Sequence, residues 1–313
     1  MRRIVLLTCA VLLCAAPASH AAATVGVSDQ NPLTFTNPLF KPLKFKVARY
    51  IAPYDVMSDS KQAATLDAWI KNARADKQTI LISFEHSRRS GQQKKAPSVA
   101  AYTSALKKFK KKYPFVKEWS PWNEVNRCQT GGRNEGQPTA ICSIKKNGPK
   151  LAAQYYAAAR KVCGTSCKIV ALDILDGDNV GGAVSYVKAF KRYAKPTPKI
   201  WGIHNYSDTN RFSTSRTKRL LAATGKGDVW LTETGGIVKL GTSFPFSTSR
   251  AAKALGCMFT LGKSSSRIKR LYVYQFNGAP SGSNFDAGVV GIDGAKRAGY
   301  TVVQHRKASK CAK

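Results

Sequence analysis

The sequence predicts an α/β chain folded as a single (β/α)8 barrel, the TIM-barrel architecture. Three observations lead there. Eight short apolar, β-rich runs alternate with amphipathic stretches, and strands separated by helices pair in parallel because each crossover needs a helix. The chain has 313 residues, a length that suits one barrel of about 250 residues or more better than a doubly wound sheet. No linker, internal repeat or second domain interrupts the alternation.

Residues 1–23 precede the barrel. Arg2 and Arg3 give a charged start, Ile4 to Ala16 a mostly apolar run, and the small residues up to Ala23 a place to cut. This reads as a secretory signal peptide, and the run is too short to span a bilayer. Residues 24–313 are expected to form the exported barrel, with no stable membrane insertion.

The strands follow in order. They are "TVGVS" (Thr24 to Ser28), "LKFKVARYI" (Leu43 to Ile51), "TILISF" (Thr79 to Phe84) and "FVKEWSPW" (Phe115 to Trp122). Then come "KIVALDIL" (Lys168 to Leu175), "KIWGIHNY" (Lys199 to Tyr206), "DVWLTET" (Asp228 to Thr234) and "RIKRLYVYQF" (Arg267 to Phe276). Between them, Gln62 to Ala75, Ser98 to Tyr113 and Lys150 to Cys163 repeat apolar residues at three- and four-residue steps, as amphipathic helices do. The segment after the first strand, "DQNPLTFTNPLFKP", is broken by prolines, so its helix must be short.

Hydrophobic residues make up 43% of the chain and aromatics 10%, a globular composition. Six cysteines follow the leader: Cys128, Cys142, Cys163, Cys167, Cys257 and Cys311. An even set in an exported chain reads as three disulfides. Short loops favour Cys128–Cys142 and Cys163–Cys167, which leaves Cys257–Cys311. No second cysteine pair has metal-ligand spacing, so no metal is expected. The net charge is +34, two fewer without Arg2 and Arg3. Such a field attracts polyanions, yet no nucleic-acid-binding pattern accompanies it. Anionic cell-wall polymers or acidic polysaccharides are the partners this charge suggests. A surface charged for solubility or for an acidic habitat is the other reading. A monomer is expected.

A barrel carries its chemistry at the C-terminal ends of its strands. Only 17 residues are acidic, yet these ends are polar. Arg49 ends strand two, with Tyr54 and Asp55 beyond it. Glu85 and His86 end strand three, and Asn123 and Glu124 strand four. Strand five carries Asp173 and Asp176. His204, Asn205 and Tyr206 end strand six, Glu233 strand seven, and Tyr274 to Phe276 strand eight. Two carboxylates facing each other across a barrel mouth are what glycoside hydrolysis needs, one to give a proton and one to attack. Glu124 and Glu233 stand on strands that lie opposite each other.

"WNE" on strand four and "LTETG" on strand seven resemble the acid/base and nucleophile motifs of clan A retaining glycoside hydrolases. The resemblance runs strand by strand over the mature chain. "WNEVN" and "FDAGVVGIDGAKRAGY" are similar to family 39 and related secreted bacterial members. The resemblance implies Glu124 as general acid/base, its pKa raised by Trp119 and Trp122 and by the negative charge on Glu233, and Glu233 as nucleophile. It further implies Arg49 and Tyr206 as supports of the nucleophile, Asn123 as ligand of the sugar 2-hydroxyl, and His204 beside the acid/base. Tyr54, Trp122, Trp201 and Phe276 are candidate sugar-stacking faces. Asp173 and Asp176 read as structural or subsite residues. The expected substrate is a polysaccharide or oligosaccharide, anionic or wall-linked if the surface charge is its counterpart, and no cofactor is needed. Strand eight departs from the pattern: "YVYQFNG" has no tryptophan, so Tyr274 or Phe276 must lie under the sugar. A non-hydrolytic binder of cell-wall polysaccharide on the same barrel is the alternative function. A phosphate-binding barrel lacks its glycine-rich loop apart from Thr234 to Gly236.

Overall fold

A computed structural model describes residues 22–128 and 136–311. The expected signal peptide lies outside the described residues except for its last two. Eight parallel strands close into a barrel in sequence order. They are β1 (Thr24–Ser28), β2 (Val47–Pro53), β3 (Thr79–Glu85), β4 (Glu118–Ser120), β5 (Lys168–Leu175), β6 (Ile200–His204), β7 (Asp228–Thr234) and β8 (Ile268–Val273). β8 pairs with both β7 and β1, which closes the ring.

Outside the barrel lie α1 (Ser60–Ala75), α2 (Val99–Lys112), α3 (Gly148–Cys163), α4 (Val180–Tyr193), α5 (Ser215–Thr224), α6 (Thr248–Gly262) and α7 (Ala298–Gln304). Several start on a side-chain cap: Asp59, Ser98, Asn179 and Ser247 each accept a backbone N–H of the first turn, which satisfies a donor the helix cannot. The proline-broken segment after β1 forms two 3-10 turns, Pro32–Thr36 and Lys41–Leu43. Leu43 therefore leaves the strand expected there, and β2 starts at Val47. β4 is only three residues long, because the chain turns away at Pro121.

Most apolar side chains pack between barrel and helices. Trp119 belongs there. Its neighbours in β4, Glu118 and Ser120, point inward, so alternation turns Trp119 outward against Phe84 and Phe109. Trp201 is likewise turned outward, against Phe190, and donates to the Lys226 carbonyl. Neither faces a cleft, which removes Trp201 as a sugar platform.

Inside the barrel the filling changes from bottom to top. Val47, Leu81, Val170, Trp230 and Tyr272 form an apolar lower layer, with Glu118 paired to Arg270 at 2.9 Å. Above it stand Arg49, Ser83, Asp173 and Thr232, all fully buried. Strict alternation from Val170 would point Leu172 inward and Asp173 outward. Leu172 instead takes a φ of 61°, the β5–β6 register shifts there, and Asp173 turns into the barrel, as a bulge allows. Gly202 on β6 completes the arrangement: a Cβ there would collide with Asp173 Oδ1.

The three disulfides are Cys128–Cys142, Cys163–Cys167 and Cys257–Cys311. The first closes the long loop after β4. The second clips the end of α3 to the approach to β5, and the third ties α6 to the C-terminal tail. They fit an oxidising compartment. No helix among the described residues is long and apolar enough to cross a membrane.

Candidate active site

Arg49 is the hub of the upper barrel. Its Nη1 donates to Glu233 Oε1 at 2.5 Å and to Ser28 Oγ at 3.1 Å. Its Nη2 donates to Asp173 Oδ2 at 2.8 Å and to Asn123 Oδ1 at 2.7 Å. Burial by itself would favour the neutral guanidine, but the charges of Asp173 and Glu233 outweigh it and hold the group firmly cationic. Asp173 also accepts from Ser83 Oγ at 2.6 Å and Thr232 Oγ1 at 2.7 Å. The buried cation thus meets two buried carboxylates, each hydrogen-bonded further, which is what a charged interior requires.

Glu233 ends β7 at a break in the β7–β8 register. Its Oε2 accepts from Tyr206 Oη at 3.0 Å. Burial first, then the charge of Glu233, pushes the Tyr206 phenol well above its ordinary range, so Tyr206 keeps its proton and donates it to Glu233.

Glu124 stands in the turn after β4, with φ at 44°. That left-handed conformation is uncommon outside glycine and collects at functional sites. The turn is held from both sides. Asn123 N–H donates to the Phe84 carbonyl at 2.6 Å. Asn126 exchanges two hydrogen bonds with the Leu175 backbone, at 2.8 and 2.9 Å. The Glu124 carboxylate meets His204 Nδ1 at 3.1 Å and Arg127 Nη1 at 3.1 Å.

His204 Nδ1 also lies 3.7 Å from Glu233 Oε2, while its Nε2 is 3.5 Å from Arg49 Nη2. Arginine can only donate, so Nε2 is the accepting nitrogen and Nδ1 carries the hydrogen toward the carboxylates. One oxygen of Glu124, one of Glu233 and a ring nitrogen of His204 all lie within 4.8 Å of one another. Among the described residues this is the group with metal-ligand character. With its hydrogen on Nδ1 the imidazole donates toward the carboxylates and has no lone pair on that nitrogen for a cation.

Burial raises the Glu124 carboxyl, but the His204 hydrogen bond and the Arg127 charge more than reverse this and hold it well below the usual range. Burial lowers His204, but the Glu233 charge and the Glu124 hydrogen bond leave the imidazole more basic than usual. The Nδ1–H therefore stays on His204 and donates to the ionised Glu124 carboxylate. This corrects the expectation that tryptophans keep Glu124 protonated. Trp119 faces the helices. Trp122 is 1% exposed, stacked between Tyr54 and Tyr155, and donates to Gln137 Oε1 at 2.7 Å.

Trp122 is therefore a wall behind the cleft and not a sugar face, since a covered ring cannot stack on a ligand. Phe276 is corrected on the same ground. It is 1% exposed and packed edge-on to Phe40, because Asp29 Oδ2 takes its backbone N–H and turns the segment inward. Tyr54 remains half-buried over Trp122. The aromatic surface at the mouth comes from Tyr206, Tyr274 and Phe285, each half-buried, with ring centroids 5.9 to 6.3 Å apart. Phe285 arrives on a two-residue strand, Phe285–Asp286, paired with Lys239–Leu240; no strand-end rule points to it. Glu85 pairs with Arg88, and His86 touches Gln137. Asp176 accepts the backbone N–H groups of Ser207 and Asp208, which anchors the segment carrying Tyr206.

Fold and site define a class: a closed parallel barrel with two acidic side chains facing each other at its C-terminal mouth. Solved glycoside hydrolases of the clan A barrels share this fold. A family 39 glycoside hydrolase from Bacteroides cellulosilyticus WH2 matches with a TM-score of 0.63 and 16% identity, over 91% of this chain and 63% of that one. GH5_18 from Streptomyces cattleya, in complex with GlcNAc, matches with a TM-score of 0.62 and 11% identity, over 92% and 80%. A psychrophilic family 10 endo-β-1,4-xylanase matches with a TM-score of 0.64 and 12% identity, over 90% and 96%. At these identities the likeness is one of fold. This chain spans less than two thirds of the family 39 chain. No protein-family model matches the sequence, and no curated protein matches it.

Proposed function

We propose that this protein hydrolyses O-glycosidic bonds of a carbohydrate by double displacement, outside the cytoplasm, where its disulfides persist. One observation carries the reading. Oxygens of Glu124 and Glu233 approach within 4.8 Å at the barrel mouth. An inverting pair keeps its carboxyls about 6.5–9.5 Å apart to admit a water, whereas a retaining pair sits near 5 Å.

In the first step a Glu233 oxygen attacks the anomeric carbon. The bond from that carbon to the leaving oxygen breaks, and Glu124 delivers a proton to that oxygen. In the second step water attacks the same carbon, Glu124 takes the water proton, and the bond to Glu233 breaks. Arg49 and Tyr206 align the nucleophile through both its oxygens. Asn123, whose amide oxygen is held by Arg49, has its NH2 left to donate to a sugar hydroxyl. Tyr206, Tyr274 and Phe285 offer the sugar an aromatic surface. The solved relatives include a GH5_18 complex with GlcNAc and a xylanase, which supports a carbohydrate substrate without naming it.

The test is a panel of aryl glycosides and polysaccharides with wild type, Glu124→Gln and Glu233→Gln. Each variant should lose about 10²–10⁴ in kcat, and NMR should show retained anomeric configuration. Cleavage by none of the three proteins would refute hydrolysis and leave a binding protein, and equal cleavage by all three would remove Glu124 and Glu233 from the chemistry. An inverted product would remove Glu233 as nucleophile.

A further inference from the structure

Arg127 stands on the acid/base side of the cleft. Its side chain is 46% exposed, while that of the Glu124 it pairs with is only 8% exposed. The position is fixed by the backbone: Arg127 N–H donates to the Glu124 carbonyl at 2.9 Å, and the Arg127 carbonyl accepts from Gln137 N–H at 2.7 Å. Disulfide Cys128–Cys142 locks the next residue. The loop after β3 lies beside this one. From His86 to Ser98 it holds Arg88, Arg89, Lys94 and Lys95 and no acid. Arg88 is tied to Glu85, and Arg89 is exposed. His86 of that loop contacts Gln137, Arg127 lies directly against Glu124, and the group that receives the Glu124 proton must lie beside it.

Resting on the glycosidase reading, we propose that the leaving-group side of this cleft takes an acidic glycan, whose anionic group draws Arg127 away from Glu124 and so lets Glu124 carry the proton. The problem this solves is visible in the free enzyme. A proton donor should hold its proton, yet Glu124 is flanked by a cation and by a hydrogen-bonded imidazole, and its carboxyl is held low. Among the described residues, the charged and titratable groups that bear on Glu124 include His204 and Arg127 directly, with Glu233 beyond His204 and the Tyr206 and Tyr274 phenols near by. Of these, Arg127 is the one that is both bonded to Glu124 and half in solvent, where a substrate anion can compete for it. His204 is enclosed and keeps its Nδ1–H bond to Glu124 at 3.1 Å, so the proton that Glu124 takes up comes from water in the cleft. A neutral substrate leaves Arg127 in place and finds a poor acid.

Uronate-bearing oligosaccharides and their carboxyl-reduced neutral counterparts form matched probes, with sulfate-ester oligosaccharides as a third arm. Wild type should favour the acidic member by about tenfold or more in kcat/KM, the size of one charged hydrogen bond. Arg127→Gln should lose that preference, cut the neutral member faster than wild type does, and retain activity to higher pH. A second readout needs no turnover. The chain has five glutamates, so glutamate labelled with ¹³C at the carboxyl gives few signals, and Glu124→Gln assigns one. The uronate probe should move the Glu124 midpoint up by about one pH unit or more, a tenfold change in the equilibrium, and the reduced probe should not. Response to uronate alone identifies a carboxylate ligand; response to both anions identifies charge as the requirement. Equal rates on matched probes with Arg127→Gln unchanged would overturn this inference and leave the glycosidase reading standing. If no probe is cut by wild type, the glycosidase reading is in question, and a Glu124 signal indifferent to both anions overturns this inference independently.

Discussion

Asp173 offers a direct test of how the barrel holds its buried charge. Asp173 and Arg49 are both fully buried and meet at 2.8 Å. With charge centres about 4 Å apart, an effective dielectric near 20 gives about 4 kcal/mol of attraction. Removing one partner of a buried pair costs about 3–5 kcal/mol. Asp173→Ala should fall near the lower end, about 3 kcal/mol, because Arg49 keeps Glu233. Asp173→Asn preserves shape. Its amide oxygen can still accept from Arg49 and Ser83, and its NH2 meets Thr232 Oγ1, which can turn to accept. A loss of about 1–2 kcal/mol is expected there. Urea unfolding at neutral pH measures both. The charge has a second reporter. Burial opposes protonation of His204, and among the influences that raise it is the Asp173 carboxylate. In Asp173→Asn the His204 titration, followed by NMR and assigned with a His204 variant, should move down. A raised imidazole stabilises the fold fully below its unfolded pKa and loses that contribution as pH rises through its folded value. The advantage of wild type over Asp173→Asn should therefore be largest on the acid side of the His204 titration and shrink above it. Two variants within about 0.5 kcal/mol of wild type, the range of ordinary surface changes, or an unmoved His204, would refute the account.

Tyr206→Phe removes one hydrogen bond to a charged oxygen of Glu233. A loss of about 1.5–3 kcal/mol predicts roughly tenfold to 150-fold lower kcat/KM with the fold intact, checked by kinetics beside circular dichroism. Replacing Cys128 and Cys142 by serine opens a loop with a sequence separation of 14; about 3 kcal/mol of stability should be lost, read by denaturant unfolding. Unchanged stability there would mean the loop is held by its hydrogen bonds alone.

Much of this architecture can be read along the chain. The alternation of apolar runs and amphipathic stretches is local, and strands such as Thr24–Ser28, Lys168–Leu175 and Asp228–Thr234 start and stop where the residues say. The polar strand ends pointed to Arg49, Asn123, Glu124, His204, Tyr206 and Glu233, and the structure brings these six together. Cysteine spacing likewise anticipated the three disulfides. Strand ends were less legible where packing intervenes. β2 starts late because a 3-10 turn captures Leu43, and β4 is short because Pro121 cannot extend it.

The sequence by itself determined which polar side chains end the strands, because alternation and strand order are properties of nearest neighbours. Which way each side chain turns, and what charge surrounds it, only the tertiary structure decided. A bulge at Leu172 converts Asp173 from an outward residue into the counter-charge of Arg49. Asp29, at the end of β1, turns Phe276 inward and leaves Tyr274 at the mouth. The tryptophans that seemed to guard Glu124 are packing, and the groups that govern its proton are His204, 80 positions away, and Arg127. Electrostatic environment depends on distances through space, and those exist only once the ring has closed.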